Sequence, residues 1–474
     1  MVARASRKPG MPELANKQVL VVGLDEGGFA LAEFLLQAGC RVTAIDPDET
    51  GALRDRAAHL RESGAQVSLG IQSIPPAPWD FAAASPQVPR GAPLLRELAD
   101  RNVVVVGSLE LAAQQSRCLT IAVGGTNGKS TTVELVTRLL AYNHRKTFSP
   151  GLEPWPLTSV ADQSKDADFL LLQADAFELE RTQNFRPSVA VLLNVAADHL
   201  DRFEQPDDYV RVHAGLFRNQ QAFDWAVVQS EALARLKALD LVPPSKVVTF
   251  SASDPEADLH LDRGLIISRI ANWAGPLLDT AECRLRGGHH AEDFMAALAV
   301  GHALRLPLET MVDTLKQQPP RPHRFEPVAE FHGVEFIDDA KASNVNALRH
   351  AVLAARPGPE AGPNIWLVAG GQDKGLDFHE AGPEISRRVK GAFLFDSGRE
   401  KIRAAWSLFT PCTLSNSLLE AISEAAKNAT PGDVVLLSPA CSSFDQFRNY
   451  QQCGEKFCQA VNQLVGVPST GTPT

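Results

Sequence analysis

A chain of 474 residues is long enough for about three domains of ordinary size, each with its own core. Hydrophobic residues make up 44% of it and charged residues 22%, which is typical of a soluble globular protein, and no run of about eighteen apolar residues predicts a membrane span. The formal net charge of −10 argues against non-specific binding to nucleic acid, so small anionic ligands would require locally basic pockets.

The N-terminal residues and the cysteines indicate where the protein resides. Residues 1–17 are basic and polar without an apolar segment, which predicts a disordered lead rather than a signal peptide. The seven cysteines are scattered and odd in number, which suits a reducing cytosol better than a disulfide framework. Cys453 and Cys458 are the closest pair, and we expect them on one helix. A cytoplasmic protein follows from these features.

Residues 18–116 form the first predicted domain. A β-branched strand at 19–22, a helix and a second strand at 41–45 have the spacing of a dinucleotide-binding unit. Asp25 and Glu26, however, stand where a pyrophosphate would approach and would repel it. The sequence therefore favours a Rossmann-like unit without a dinucleotide. Asp46, at the end of the second strand, and Ser85, in a later strand-end loop at 83–89, are candidates for contacts with another polar ligand.

A strand, a glycine-rich loop and a helix open the second predicted domain, residues 117–320. The apolar run 119–123 predicts a buried strand, and an amphipathic helix is expected over 131–140. Between them, backbone amides and a helix N-terminus can surround an anion, although the loop is shorter than the usual Walker pattern. We expect Lys129 to reach terminal phosphate oxygens and Ser130 to hold a magnesium ion. The predicted nucleotide-binding residues of the loop are Gly125, Thr126, Asn127, Gly128, Lys129, Ser130 and Thr131.

Two further apolar runs, 168–173 and 189–195, predict parallel strands buried on both faces. Loops at the carboxyl ends of parallel strands meet at one edge of the sheet, so their polar residues should converge on the phosphates. These residues are Gln173, Asp175 and Glu178 on one side and Asp198, His199, Asp201 and Arg202 on the other. His199 is a metal-ligand candidate because it lies at a strand end beside a nucleotide loop. Residues 284–290 are expected to form a loop before an apolar helix at 294–304.

A proline-rich linker at 319–322 leads to the third predicted domain, residues 321–474. Strands at 334–337, 365–369, 392–395 and 434–437 with helices between them indicate another Rossmann-like α/β unit. Lys341 and Lys374 each follow a strand, and a serine-rich loop that begins at Ser438 follows a third. This domain is therefore predicted to present a ligand-facing edge.

Several motifs together resemble those of the Mur ligases. They are TNGKSTT at 126–132, NVAADHLDRF at 194–203, PHRFE at 322–326, DDAKASN at 338–344, GGQDKGLDF at 370–378 and LLSPACSSFDQFRNYQQCGEKF at 436–457. The resemblance covers nearly the whole chain and is closest to the branch that adds D-glutamate. It implies a three-domain α/β enzyme whose domains hold, in chain order, a UDP-linked muramoyl substrate, ATP with Mg²⁺, and the amino acid.

The resemblance also implies roles for individual residues. ATP would phosphorylate the carboxylate of UDP-N-acetylmuramoyl-L-alanine, and the amine of D-glutamate would attack the acyl phosphate, in cytoplasmic peptidoglycan precursor synthesis. Lys129, His199 and Lys341 would be catalytic, and Arg324 and Asp339 would grip ATP from the third domain. The expected substrate-binding residues are Asp46, Ser85, Lys341, Ser343, Lys374 and Ser443.

The chain departs from the family pattern at the expected metal site. Gln173 replaces the glutamate that normally holds magnesium, and an amide oxygen is a weaker ligand for a hard cation than a carboxylate. His213 stands where relatives carry a carbamylated lysine, and His290 replaces an adenine-contacting asparagine. The predicted metal ligands are therefore Ser130, Gln173, His199 and His213. Because imidazole suits transition ions, Mn²⁺ is an alternative to Mg²⁺.

These departures leave two hypotheses. One is an active ligase with a rebuilt metal site, and the other is a non-catalytic or altered-specificity nucleotide-binding relative. The retained Lys129, His199, Arg324, Lys341 and Lys374 favour the active enzyme. We expect small-molecule partners, no nucleic acid, no membrane and a monomer.

Overall fold

The chain folds into three successive α/β units, which are called the first, central and third layers below. The computed structural model describes residues 14–150, 160, 163–196, 198, 202–203, 205–285, 288–319, 321–358, 362–442 and 446–466. Each layer is a twisted sheet of mostly parallel strands covered by helices, so the predicted α/β class is confirmed. The predicted boundaries near residues 116 and 320 fall between the sheets. Within the described ranges, no helix is both long and apolar enough to cross a membrane.

The first sheet is parallel throughout, with strand order β3-β2-β1-β4-β5. Its strands are β1 Gln18–Val22, β2 Arg41–Asp46, β3 Gln66–Leu69, β4 Phe81–Ala84 and β5 Val105–Val106. Its helices are α1 Glu26–Gln37, α2 Gly51–Glu62, α3 Pro93–Asp100 and α4 Ser108–Gln115. Asp25 caps α1 by accepting a hydrogen bond from the Gly28 N–H at 3.0 Å, so a carboxylate already occupies the helix N-terminus that a pyrophosphate would need.

The central sheet has nine strands in the order β14-β13-β12-β11-β10-β9-β6-β8-β7. The parallel strands are β6 Leu119–Gly124, β7 Thr147–Phe148, β8 Phe169–Ala174, β9 Val189–Leu192, β10 Trp225–Gln229, β11 Lys246–Ser251 and β12 Leu259–Asp262. An antiparallel extension adds β13 Leu265–Ser268 and β14 Gly275–Asp279. The helices are α5 Lys129–Tyr142, α6 Ala176–Leu179, α7 Pro206–His213, α8 Ser230–Ala238, α9 Gly288–Ala303 and α10 Leu308–Lys316. The loop predicted at 284–290 was wrong at its end, because α9 begins at Gly288.

The third sheet has the order β15-β16-β20-β17-β18-β19, with only the edge strand β15 antiparallel to its neighbour. Its strands are β15 Glu326–Phe331, β16 Val334–Asp338, β17 Ile365–Gly370, β18 Val389–Phe395, β19 Cys412–Leu414 and β20 Val434–Ala440. The helices are α11 Val345–Ala354, α12 Gly382–Arg388, α13 Arg399–Trp406, α14 Leu418–Asn428 and α15 Tyr450–Leu464. Ser438 lies within β20, so the prediction that a loop begins there was wrong. Cys453 and Cys458 share α15, as predicted.

Apolar cores hold these layers together. One continuous cluster of buried side chains runs from Val19 in the first sheet to Val228 in the central sheet, so the first two layers share a core. A second cluster packs α5, α9 and α10 on the opposite face of the central sheet. Separate clusters cover the two faces of the third sheet. The carboxyl ends of the central parallel strands therefore face a cleft toward the third layer.

Candidate active site

A cavity of about 680 Å³ lies where the three layers meet. Asp25, Pro86 and Gln87 of the first layer form one part of its wall, and the glycine-rich loop and the segment before α11 form others. The sequence-predicted site residues that line it are Thr126, Asn127, Gly128, Lys129, Ser130, Thr131, Gln173, Arg324, Asp339, Lys341, Ser343 and Lys374. Residues separated by more than 200 positions in the chain thus share one wall.

The loop between β6 and α5 is fixed by hydrogen bonds and close packing against Asn194, two residues after the end of β9. The Thr126 N–H donates to the Asn194 carbonyl at 3.0 Å, and the Asn127 N–H donates to Asn194 Oδ1 at 2.9 Å. Gly125 has φ +127, and a Cβ there would lie 3.0 Å from the Asn194 carbonyl oxygen. Gly128, with φ +87, caps α5 and leaves no space for a side chain beside Asp293. The backbone is therefore held with the α5 N-terminus open to the cavity, which suits an anion.

Lys129 lies folded across this loop. Its Nζ donates to the carbonyls of Gly125 at 2.7 Å and Thr126 at 3.1 Å, and it is 3.0 Å from Asp175 Oδ1. Enclosure of Asp175 in the cleft by itself raises the pKa of its carboxyl, but the charge of Lys129, its hydrogen bond to the carboxylate and the charge of Lys341 together outweigh this effect and lower the pKa. Lys129 and Asp175 therefore form an ion pair at the strand ends where phosphates were predicted to bind.

The oxygen donors among the candidate metal ligands lie close to Lys129. Ser130 and Gln173 are both buried, and the Ser130 hydroxyl donates to Gln173 Oε1 at 3.0 Å. Asp175 adds a carboxylate at the end of β8. Glu178 also reaches the cavity wall, but its carboxylate accepts hydrogen bonds from the Ser108 hydroxyl at 2.7 Å and the Leu109 N–H at 2.9 Å. Asp175 is therefore the carboxylate better placed to supplement Gln173.

Other predicted residues lie away from the cavity wall. His213 is fully buried at the end of α7, edge-on to Tyr209 with ring centroids 4.6 Å apart, and Tyr209 stands on the wall in front of it. Asp46 is buried and accepts hydrogen bonds from the N–H groups of Leu24 and Asp48. Ser85 is buried and donates to Asp25. His199, Asp201 and Ser443 lie outside the described residues.

Arg324 and Asp339 bring the third layer to the nucleotide side of the cavity. The Nη2 of Arg324 is buried and, among the described residues, has no hydrogen-bond partner, which leaves it available to an anion. Burial raises the pKa of Asp339 to about 8, although its carboxyl accepts hydrogen bonds from the Phe325 N–H at 3.1 Å and the Ser438 hydroxyl at 3.3 Å. Near neutral pH, Asp339 can therefore donate a hydrogen bond to a ligand hydroxyl in its protonated form or accept one in its ionised form.

Lys341 and Lys374 add further positive charge to the cavity wall. The Nζ of Lys341 lies 4.5 Å from the centroid of the Tyr450 ring, and burial, with the charges of Arg324 and Lys129 in addition, lowers its pKa to about 8. Lys374 Nζ is 3.6 Å from Asp198 Oδ1. Four cationic side chains line this cavity, together with carboxylates that include Asp175 and Asp198, the ion-pair partners of Lys129 and Lys374. These cations can compensate the charge of a polyanionic ligand.

Three asparagines connect the central and third layers, and of these sequence reasoning assigned only Asn127, as a nucleotide-binding residue. Asn344 Nδ2 donates to Asn127 Oδ1 and to Asp198 Oδ2, each at 3.1 Å. Asn127 Nδ2 donates to Asn346 Oδ1 at 2.9 Å. The only available sequence signal was the position of Asn344 as N-cap of α11, which it also serves through a 2.8 Å bond from the Ala347 N–H.

Comparison with known proteins identifies the family. Residues 123–301 match the Mur ligase middle domain, and residues 323–441 match the Mur ligase glutamate ligase domain. The chain belongs to the Mur ligase family. A UDP-N-acetylmuramoylalanine--D-glutamate ligase of Acidobacterium capsulatum is 35% identical over 453 residues, which cover 95% of this chain and 97% of that protein. The protein of the same name from Desulfosudis oleivorans is 34% identical, with 95% and 97% covered.

Solved structures of Mur ligases have the same fold. The MurF ligase of Thermotoga maritima, determined in complex with ADP, superposes with a TM-score of 0.61 at 17% identity over 96% of this chain and all of that one. A pseudomurein peptide ligase of Methanothermus fervidus gives a TM-score of 0.60 at 14% identity over 95% of this chain and all of that one. The three-domain architecture predicted from the motifs is therefore that of the Mur ligase fold.

Proposed function

We propose that this Mur ligase joins D-glutamate to UDP-N-acetylmuramoyl-L-alanine in an ATP-dependent reaction of cytoplasmic peptidoglycan precursor synthesis. The observation that carries the proposal is the single cavity at the junction of the three layers. Its wall combines the phosphate loop around Lys129, the cations Arg324 and Lys341, and the edge of the first layer at Asp25 and Gln87. Relatives that match 95% of the chain bear the name of this activity.

The reaction transfers phosphate and then replaces it. A carboxylate oxygen of the L-alanyl group attacks the γ-phosphorus of ATP, the bond to the β–γ bridging oxygen breaks, and ADP leaves. The amine of D-glutamate then attacks the acyl carbon, loses a proton, and expels phosphate to leave the amide. Because phosphoryl transfer depends mostly on position and charge neutralisation, Lys129 and Arg324 suit its first step. In the proposal, both act on the phosphates from opposite sides of the cavity.

We assign the amino acid to the side of the cavity that holds Lys341, Ser343 and Lys374. D-Glutamate carries two carboxylates, and two lysines next to a hydroxyl match that charge pattern. Ser443, which follows cavity-lining Ser442 in the chain, remains a proposed member of this set. Asp46 and Ser85 remain proposed contacts for the UDP end, although both side chains already have protein partners.

Mg²⁺ fits the oxygen donors beside the phosphate loop. Ser130, Gln173 and Asp175 offer a hydroxyl, an amide oxygen and a carboxylate, the ligand types that magnesium prefers, and His199 remains a proposed further ligand. When bound, the ion would neutralise charge on the nucleotide phosphates. Manganese would be the alternative ion if imidazole contributes. A monomer is proposed as well, and light scattering during gel filtration would test it.

The replacement of a carboxylate by Gln173 favours a second candidate, a nucleotide-binding Mur ligase relative without catalysis. One experiment separates the two. The purified chain is incubated with ATP, Mg²⁺, UDP-N-acetylmuramoyl-L-alanine and D-glutamate, and the product is identified by mass spectrometry. The ligase yields UDP-N-acetylmuramoyl-L-alanyl-D-glutamate only when ATP is present, and L-glutamate serves as the matched control substrate. ATP binding with no product from any amino acid would favour the second candidate.

A further inference from the structure

A histidine, an aspartate and a cysteine converge beside the cavity, on the side of the third layer that faces α15. His323 Nδ1 is 2.7 Å from Asp338 Oδ2, and the Cys458 Sγ lies 3.4 Å from the same oxygen. All three atoms lie within 4.8 Å of one another. They come from three separate segments: the chain before β15, the end of β16 and the third turn of α15. Nothing in the proposed ligation uses this cluster.

The surroundings of the cluster are built around these three atoms. The Asp338 carboxylate is fully buried, and its second oxygen accepts a hydrogen bond from the Ala340 N–H at 2.9 Å. Gly454 on α15 has no side chain where a Cβ would lie 2.2 Å from His323 Nδ1 and 2.7 Å from Asp338 Oδ2. His323 adopts φ +61, a left-handed backbone that is uncommon for a residue other than glycine. The three groups can therefore meet for two reasons. His323 adopts a strained left-handed backbone, and the facing helix carries Gly454, which has no side chain to separate them.

We propose that His323, Asp338 and Cys458 form a binding site for Zn²⁺ or a similar transition ion. Nitrogen, oxygen and sulfur donors in one cluster match zinc and cobalt, whereas magnesium and calcium take oxygen ligands. Zinc bonds of about 2.0–2.3 Å in a tetrahedron separate neighbouring ligand atoms by roughly 3.3–3.8 Å. The sulfur–oxygen separation of 3.4 Å already meets this requirement, and the nitrogen–oxygen separation of 2.7 Å must widen.

Two further features of the cluster favour metal binding. The His323 side chain is 13% exposed. This opening gives a metal ion, and a water molecule as its fourth ligand, a path from solvent. Glu326 adds a further carboxylate, because its Oε2 accepts a hydrogen bond from the His323 N–H at 2.7 Å. On binding, the Cys458 thiol transfers its proton to solvent and the sulfur becomes a thiolate ligand.

The site would adjoin the two segments that carry Arg324 and Lys341. His323 precedes Arg324, and its carbonyl accepts a hydrogen bond from the Lys341 N–H at 3.2 Å. An ion held by His323, Asp338 and Cys458 would tie this segment to α15. The proposal goes beyond the ligase reaction and does not rest on it, since its test measures metal binding without substrates.

The experiment uses the full-length chain without a histidine tag after treatment with a chelator. Co²⁺ and Zn²⁺ are added to the wild type, to Cys458→Ser and to Cys412→Ser. Cys412 is a suitable control because it is a half-buried cysteine of the same layer whose thiol donates only to a backbone carbonyl. We expect a thiolate-to-cobalt charge-transfer band and one tight zinc equivalent in the wild type and in Cys412→Ser. Cys458→Ser should lose the band and weaken zinc binding by at least about tenfold, since even outer-shell partners cost 10–100-fold.

A second measurement uses only the wild type and so does not depend on whether a variant folds. Cys458 and Cys412 are both partly accessible, and their alkylation rates can be followed by peptide mass spectrometry. Zinc should slow the alkylation of Cys458 and leave that of Cys412 unchanged. Equal zinc affinity in the wild type and Cys458→Ser, absence of the cobalt band, or equal alkylation of Cys458 with and without zinc would each overturn the proposal.

Discussion

The ammonium of Lys129 lies 3.0 Å from the carboxylate of Asp175, and this ion pair connects the loop after β6 to the loop after β8. Lys129 also donates to the carbonyls of Gly125 and Thr126, so every partner that the structure gives it belongs to the phosphate-binding edge. A nucleotide phosphate offers the lysine stronger, charge-assisted hydrogen bonds than two carbonyls do. We therefore expect Lys129 to exchange these carbonyls for phosphate oxygens when ATP binds.

Replacement of Lys129 by alanine tests this role. Lys129→Ala should reduce ATP-dependent phosphate release by about 100-fold or more, as the loss of one preorganised donor to a developing charge typically does. Folding should be retained, because Lys129 is the first residue of α5 and its ammonium has only polar partners among the described residues. Phosphate release is measured by a coupled assay, with Lys237→Ala, an exposed lysine on α8, as the control. Turnover equal to that of the control would remove Lys129 from the mechanism.

Gln173 sets the strength of the proposed magnesium site. Gln173→Glu keeps the oxygen that accepts the Ser130 hydroxyl and adds a negative charge beside it. We expect the Mg²⁺ concentration at half-maximal activity to fall by about tenfold, equivalent to roughly 1.4 kcal/mol. Gln163→Glu, at an exposed position of the same layer, adds an equal charge and should leave the metal requirement unchanged. An identical metal titration in both variants would argue that Gln173 does not contact the ion.

The sequence predicted the parallel strands well for a physical reason. β6 and β17 are continuous apolar runs buried on both faces, and such runs leave few alternatives to a central parallel strand. The parallel strand β12 and the antiparallel extension formed by β13 and β14 were missed because these strands are four or five residues long and only partly buried, so their pattern is weak. Glu178 was expected to face the phosphates, but its carboxylate satisfies the first turn of α4 instead. A contact from another layer overrode its position near a strand end.

Contacts between the central and third layers are the second part of the site that the sequence did not predict. Asn344 and Asn127 are 217 positions apart, and no periodic pattern relates them. Asn346→Ala removes the acceptor of the 2.9 Å bond from Asn127 without touching the N-cap of α11. A single hydrogen bond of this kind is worth about 0.5–1.5 kcal/mol, so the contact between the central and third layers should be weakened. KM for ATP should then rise by about two- to tenfold.

Small-angle scattering measures the arrangement directly. With nucleotide and substrate present, Asn346→Ala should have a larger radius of gyration than the wild type. Asn428→Ala, an exposed residue at the end of α14, is the control from the same layer. If ligands leave the compactness of the wild type unchanged, the proline-rich linker at residues 319–322 does not act as a hinge during the reaction.

Asp433 contributes a pH-dependent part of the stability of the third layer. Burial alone would raise the pKa of its carboxyl, but hydrogen bonds from Lys390 and Thr430, with the Trp366 indole, outweigh burial and lower it below 3.8. Since the folded-state pKa is lowered, the stabilisation is fully present above about pH 4 and is lost as the pH falls through the folded-state value.

Asp433→Asn should therefore lower the free energy of unfolding by about 1.5–3 kcal/mol at neutral pH, the range for hydrogen bonds to a charged group. The difference from the wild type should shrink in acid, where the wild-type carboxyl also becomes neutral. Urea unfolding followed by tryptophan fluorescence at pH 7 and below pH 4 measures it. A difference that is the same at both pH values would show that the charge of Asp433 contributes nothing.

His213 decides how far the metal site has been rebuilt. Its imidazole is buried behind the ring of Tyr209, away from the oxygen donors of Ser130 and Gln173 on the cavity wall. A side chain in this position supports the packing of α7, so His213→Ala should lower the free energy of unfolding by about 0.5–3 kcal/mol. The ratio of turnover with Mg²⁺ to turnover with Mn²⁺ should stay the same, because the ion would keep its oxygen ligands. A variant that folds as the wild type does but changes this ratio would instead establish His213 as a metal ligand.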